Sequence, residues 1–307
     1  MTNEFGTDLE MEMNRREFLR LAGLGGVVFF STLPNMPAAL AATEKPKKEF
    51  YFMQLSDTHW GFEGAKINPD FKGTLLKAIK EVNALSTKPE FIVFTGDLTQ
   101  TTDDTNIRKK RMQEFKDIVS QLDCKTIHFM PGEHDASLDK GETYKEFFGQ
   151  THYTFDNNGI HFITLDNVSD PTGSIGEEQL EWLKRDLDGL KKDANIVVFT
   201  HRPLFDLYPQ WDWATKDGSK AIDLLTPFKN VSVFYGHIHQ ENHHMTGHIA
   251  HHSAKSLMLP LPAPGSVPKR EPIAWNASEP YKGLGFRSVE AYPKNHKYEL
   301  EEYGIKV

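Results

Sequence analysis

The sequence predicts an α/β protein built as a layered sandwich, and three observations carry that prediction. Short apolar runs alternate with segments whose apolar residues recur every three or four positions. The connections between these segments are mostly short and no internal repeat is present, which favours one continuous core. Several of the apolar runs also stop at a histidine or a carboxylate, often beside a glycine.

In chain order the expected strands are FYFMQLS from Phe50, FIVFTG from Phe91, TIHFMPG from Thr126, IHFITLD from Ile160, NIVVFTH from Asn195 and VSVFYGH from Val231. Between them, FKGTLLKAIKEVNAL, RKKRMQEFKDIVSQL and EEQLEWLKRDLDGLK have the apolar stripe of amphipathic helices. Beyond Gln240 the pattern weakens. A Pro-rich stretch, PLPAPGSVPKREP, precedes expected strands near residues 285–290 and 297–301, read as a β-rich completion of the same domain.

With 307 residues and 38% hydrophobic content, the chain is long enough to bury a sizeable core. A formal charge of -8 gives no reason to expect a nucleic-acid polymer as partner. Cys124 is the only cysteine, so an intrachain disulfide and thiolate metal clusters are excluded. It is expected as a buried residue with no catalytic part. Any metal must therefore sit on the histidines and carboxylates, and the fourteen histidines are the composition's main clue.

The first 42 residues read as an address. Arg15, Arg16 and Arg20 precede an apolar run from Leu21 to Leu33, which is shorter than the roughly 20 residues needed to cross a bilayer. The small residues of MPAALAA follow, as a cleavage site requires. NRREFLR resembles a twin-arginine export signal, with Asn14 and Arg20 departing slightly from the usual pattern. The expectation is a bacterial protein handled by the twin-arginine export machinery and released into the periplasm without a membrane anchor, its mature domain spanning 43–307.

The strand ends carry the chemistry. The first gives Asp57 and His59, the second Asp97, the third Glu133, His134 and Asp135, the fifth His201, and the sixth His237 and His239. Parallel strands bring their carboxyl ends to one edge, so residues distant in sequence converge there. Imidazole and carboxylate together suit Zn, Mn, Fe or Ni, and so many ligands suit two ions bridged by one carboxylate better than one.

The ordered set DxH, GD, a Gly-x-His stretch followed by an acid, a lone His, and GHxH resembles the calcineurin-like metallophosphoesterase family. Asp57 to His239 spans more than half of the chain. The resemblance implies a four-layer α/β/β/α sandwich with two central mixed sheets. It also implies hydrolysis of phosphoester bonds by a dinuclear site of two divalent or mixed-valence ions (Fe, Mn or Zn) with a bridging hydroxide. By the family pattern Asp57, His59 and His239 would hold one ion and His201 and His237 the other, with Asp97 between them. His134 matches the family histidine that lies against the substrate phosphate; Asp135 either orients it or caps the next segment.

Where the family has Asn, this chain has Glu133. An ionised Glu133 on the second ion would cancel the net positive charge left by two divalent ions, Asp57, Asp97 and a hydroxide. The DxH opening is similar to the cyclic-nucleotide phosphodiesterase branch, which favours a diester over a monoester and a small-molecule or nucleotide substrate. The alternative is a non-catalytic metal-binding or partner-binding protein on the same scaffold.

Two further stretches stand out. After His201, RPLFDLYPQWDWATKDG offers Arg202 as a phosphate contact, and Trp211 and Trp213 either stack a substrate group or pack the loop down. Between His237 and His252 lie seven of the fourteen histidines. For His243, His244, His248, His251 and His252 the expectations are ordinary loop and strand positions, or else support for the ligands or an accessory metal site.

Overall fold

A computed structural model of the chain describes residues 50–306. The expected export signal and the expected 42/43 boundary lie outside the described residues. Eleven strands among these residues form two sheets. In the first, β1 (Phe50–Leu55), β2 (Ile92–Thr95) and β3 (Ile127–Met130) run parallel, with β10 (Gly285–Tyr292) and β11 (Lys297–Gly304) added antiparallel beside β1. The second has the order β4 (Tyr153–Asn157), β5 (Ile160–Thr164), β6 (Asn195–Phe199), β7 (Asn230–Tyr235), β9 (Ile249–Ser253), β8 (Asn242–Thr246). Within it β5, β6, β7 and β9 are parallel, and β4 and β8 are antiparallel edges.

Three apolar clusters explain the layers. Phe52, Phe91, Val93, Phe162, Phe199, Phe234 and Leu300 fill the space between the two sheets. Phe52 is the hinge of this packing, stacked on Phe91 at 4.8 Å and edge-on to Phe162, Phe199 and Phe234. The outer face of the first sheet buries Leu75, Ile79 and Val82 of α1 (Gly73–Asn83) and Met112, Phe115 and Val119 of α2 (Thr105–Val119). Asp104 caps α2 by accepting the amides of Asn106 and Ile107. The outer face of the second sheet buries Leu180, Leu183 and Leu187 of α5 (Glu177–Asp188) and Ile222 and Leu225 of α6 (Gly218–Leu225). Two short helices, α3 (Glu133–Ala136) and α4 (Glu142–Phe148), follow β3. The order is therefore helices, sheet, sheet, helices, as the resemblance implies.

The six expected strands and three expected helices are present, and Cys124 is buried against the first outer cluster. β4, the β8–β9 hairpin and the helices α3, α4 and α6 were not foreseen. The hairpin turns over Gly247 and His248, between the paired Thr246 and Ile249; Gly247 has φ +61°, as the first position of a tight hairpin turn requires. Among the described residues no helix is long and apolar enough to cross a membrane.

Candidate metal centre

The parallel cores of both sheets point their carboxyl ends to the same place. β1, β2 and β3 deliver Asp57, His59, Asp97, Glu133 and His134 from the first sheet; β6 and β7 deliver His201, His237 and His239 from the second. The loops leaving β1 and β2 stay side by side past the strand ends, with Asp57 N–H donating to Gly96 O at 3.1 Å and His59 N–H to Asp97 O at 2.9 Å.

This convergence bends the backbone hard. Asp57, His59, Asp97, His237 and His239 have φ of 53°, 42°, 49°, 66° and 55°. Non-glycine residues pay roughly 1–3 kcal/mol each for such conformations, which persist where surrounding structure over-determines them. The flanking glycines allow the approach. A Cβ on Gly132 would lie 2.0 Å from Asp97 Oδ1, and one on Gly236 would lie 2.2 Å from Ser56 Oγ.

Two groups of donor atoms result. Asp57, His59, Asp97 and His239 form one, and Glu133, His201 and His237 form the other, with Asp97 also close to Glu133 and His134. One oxygen joins them: Asp97 Oδ2 lies 3.5 Å from His59 Nε2 and 3.5 Å from His201 Nε2. All the residues assigned to metal by the resemblance are thus brought together.

The hydrogen bonds of the four imidazoles test whether this donor set fits cations. His201 Nδ1 faces Thr95 O at 2.8 Å, His239 Nδ1 faces Leu259 O at 2.8 Å, His59 Nδ1 faces Gln100 Oε1 at 3.1 Å and His237 Nε2 faces Asp212 O at 3.1 Å. These partners are acceptors, so each ring donates from its outer nitrogen and, when neutral, turns a lone pair inward. The lone pairs then meet other lone pairs. His59 Nε2 and His239 Nε2 are 3.1 Å apart, and His237 Nδ1 is 2.9 Å from Glu133 Oε1. His201 Nε2 is 2.8 Å from Glu133 Oε2, close but without hydrogen-bond geometry. A cation resolves such clashes, so the residues fit metal binding.

Electrostatics agree. Burial pushes the carboxyl of Glu133 up, but His237 and His201 overcome it and hold it well below the usual range. Burial pulls His201 down, yet Asp97 and Glu133 lift it well above its ordinary value. A proton on His201 does for these carboxylates what a cation does. At His59 burial prevails over Asp97 and drives the imidazole down to about 3, leaving it neutral.

His134 sits at the mouth. Its ring is edge-on to His59 at 4.6 Å, and its Nε2 is 4.0 Å from Asp97 Oδ2. Thr101 N–H donates to Nδ1 at 3.3 Å, which places the ring's proton on Nε2, facing the site. Asp135 does not orient this ring. Its carboxylate accepts Leu98 N–H at 2.9 Å, Gly132 N–H at 3.0 Å, and Thr99 N–H at 2.8 Å, capping α3 and clamping the loop after β2. Of the two expected roles, the structure shows the capping one. Burial and the neighbouring Asp97 raise Asp135 to about 6.

The aromatic loop also requires correction. Trp213 is fully buried and Trp211 nearly so, packed with Tyr235, Ile238, Met258 and Leu259 rather than presented to a ligand. Arg202 is buried and pairs with the carboxylate of Asp212. The loop instead anchors Asp212, whose carbonyl holds His237. Thr95, Gln100, Leu259 and Asp212 were missed by the sequence reading; three of them act through backbone carbonyls, which every residue has, and Gln100 carries no spacing signal.

The remaining histidines lie elsewhere. His243 Nδ1 and His252 Nδ1 are 2.7 Å apart, His244 stacks on Phe205 at 3.9 Å, and His248 Nε2 donates to Phe228 O. The donor groups found among the described residues all belong to the centre above.

A sequence profile of the calcineurin-like phosphoesterases matches residues 50–241. The chain is 28% identical over 214 residues to the "Probable cyclic nucleotide phosphodiesterase" of Rhodococcus erythropolis, covering 66% of this chain and 68% of that one. It is 29% identical over 160 residues to the "Probable glycerophosphodiester phosphodiesterase GpdQ" of Arcobacter nitrofigilis, covering 49% of this chain and 56% of that one. In fold it is similar to the purple acid phosphatase PPD1 of yellow lupin, with TM-score 0.59 and 16% identity over 83% of this chain and 51% of the other. With the motif residues converging as described, the chain belongs to the calcineurin-like phosphoesterase family, hydrolases of phosphoester bonds.

Proposed function

We propose that the chain is a phosphodiesterase working through a dinuclear metal site, with Asp97 as the shared ligand. The observation that carries this reading is the position of Asp97 Oδ2, equidistant from one imidazole of each donor group. The names of the Rhodococcus and Arcobacter relatives support a diester over a monoester.

Two bound cations would supply a hydroxide nucleophile at neutral pH and positive charge against the phosphoryl oxygens. The chain's own residues do the rest. Thr95, Leu259, Asp212 and Gln100 fix the tautomers of the four imidazoles, and Asp135 holds the two loops that carry Asp97 and His134 in register. His134, with its proton on Nε2 and its side chain partly exposed, donates to the leaving oxygen or to a phosphoryl oxygen. The test is turnover of an aryl phosphodiester and the matching monoester by Mn- or Fe-loaded protein. Loss of at least about a hundredfold on His134→Ala supports the role; absence of turnover with any metal overturns the reading.

Glu133 favours a second reading, a scaffold that holds metal without catalysis. Its carboxylate reaches both His201 and His237 and adds a negative charge to that group. Glu133→Asn separates the two: a rise in turnover with weaker metal retention fits a catalyst damped by charge, whereas retention lost with turnover still absent fits the binder. We also propose export to the periplasm through the signal in residues 1–42, tested by cell fractionation of an Arg15→Lys, Arg16→Lys variant, which should stay in the cytoplasm.

A further inference from the structure

A cleft of about 490 Å³ opens beside His239, and its walls come largely from outside the family-matching segment. Pro260, Leu261, Ile273, Trp275 and Tyr281 line it together with His239. The volume falls within the range of roughly 300–1,000 Å³ typical of pockets for small organic ligands. We propose that this cleft is the subsite for the organic group of the substrate, and that it selects phosphodiesters bearing a neutral, planar ring of aryl or nucleobase type over small polyols such as glycerol. The inference rests on the phosphodiesterase reading above and deepens it.

Three observations carry it. First, the cleft is contiguous with the metal centre through a ligand. His239 contributes Nε2 to the first donor group while its ring also walls the cleft, so the cleft adjoins the position a phosphate at the centre would take. Second, the wall is fixed although it bears exposed apolar side chains. Ile273 N–H donates to Pro260 O at 3.0 Å, Trp275 N–H to Lys66 O at 3.1 Å, and Tyr281 Oη–H to Asp70 Oδ2 at 2.8 Å. Yet Ile273 and Trp275 are 48% and 40% exposed. Large apolar groups held rigidly at water are costly unless something covers them, and an indole offers a face for stacking. Third, the charged residues around the cleft pair with one another. Lys255 pairs with Glu241 at 3.4 Å and Lys282 with Glu279 at 2.8 Å, so no uncompensated charge remains among the lining residues to recruit a charged alcohol. A glycerol group would leave most of the volume empty and would forgo contact with the faces of Trp275 and Tyr281.

The experiment is calorimetric binding of phenylphosphonate and methylphosphonate to the Mn-loaded full chain, which needs no turnover. The wild type should bind the phenyl compound about tenfold more tightly, the scale of one aromatic stacking contact. Trp275→Ala, and independently Ile273→Ala, should erase that preference while leaving methylphosphonate affinity unchanged. Both side chains are exposed, so neither substitution threatens folding. Equal affinity for the two ligands in the wild type, or a phenyl preference that survives both substitutions, overturns the subsite alone. Binding of neither phosphonate overturns the phosphoester-binding centre, and the subsite with it.

Discussion

The histidines of the centre and those of the β8–β9 hairpin are the same side chain put to opposite uses, and the second nitrogen tells them apart. At the centre, His59, His201, His237 and His239 each give the outer nitrogen to an oxygen acceptor, which fixes the tautomer and turns a basic lone pair inward. In the hairpin, His243 and His252 face one another, and His251 is fully buried with neither ring nitrogen partnered. The first set is prepared for a cation. The second behaves as packing: burial drives His251 down to about 3 and His252 well below its ordinary value, which keeps both rings neutral.

The contrast is broken most severely by His239→Ala, which removes a proposed ligand and should lower phosphoester turnover by more than about a hundredfold, with metal content by elemental analysis falling in parallel. Gln100→Leu leaves every ligand in place and removes only the acceptor that orients His59. Metal affinity in a chelator competition should weaken roughly 10- to 100-fold without a change in thermal stability of the metal-free chain.

The hairpin should respond in a different quantity. His251→Leu is expected to leave metal content and turnover alone and to change the pH dependence of stability. His251 binds its proton in the unfolded chain near the ordinary value of 6.5 but only near 3 when folded. Stability is therefore present above about pH 6.5 and is lost as the pH falls toward 3, because the unfolded state takes up more protons. At pH 4.5 the loss from this residue is on the order of 2 kcal/mol, and denaturant melts of His251→Leu should lack that share of the acid decline. The smallest effect belongs to His244→Ala, which loses a stacked contact with Phe205 and should cost no more than about 1 kcal/mol, with turnover unchanged.

The same contrast explains what could be read from the sequence. Strand ends carrying Asp57, Asp97, Glu133, His201 and His237 were legible because an apolar run followed by a turn and a polar residue marks both an element and its exit. The hairpin was not, because HHMT and IAHH put imidazole at positions that count as polar in a pattern though His251 and His252 are buried here. Trp211 and Trp213 were legible as important but not as packing, since only burial distinguishes a platform from an anchor. Asp135 shows a further limit: its three backbone amides come from Leu98, Thr99 and Gly132, two of them more than thirty residues away in sequence.

The centre straddles the seam between the two sheets, with one set of ligands rooted in β1, β2 and β3 and the other in β6 and β7. Any ion bound by Asp97 and His201 together ties the halves of the sandwich like a rivet. Chelation should then do more than silence chemistry: it should let one half slip against the other, lowering the melting temperature and speeding amide exchange along the Phe52 and Phe199 strands before the outer helices loosen.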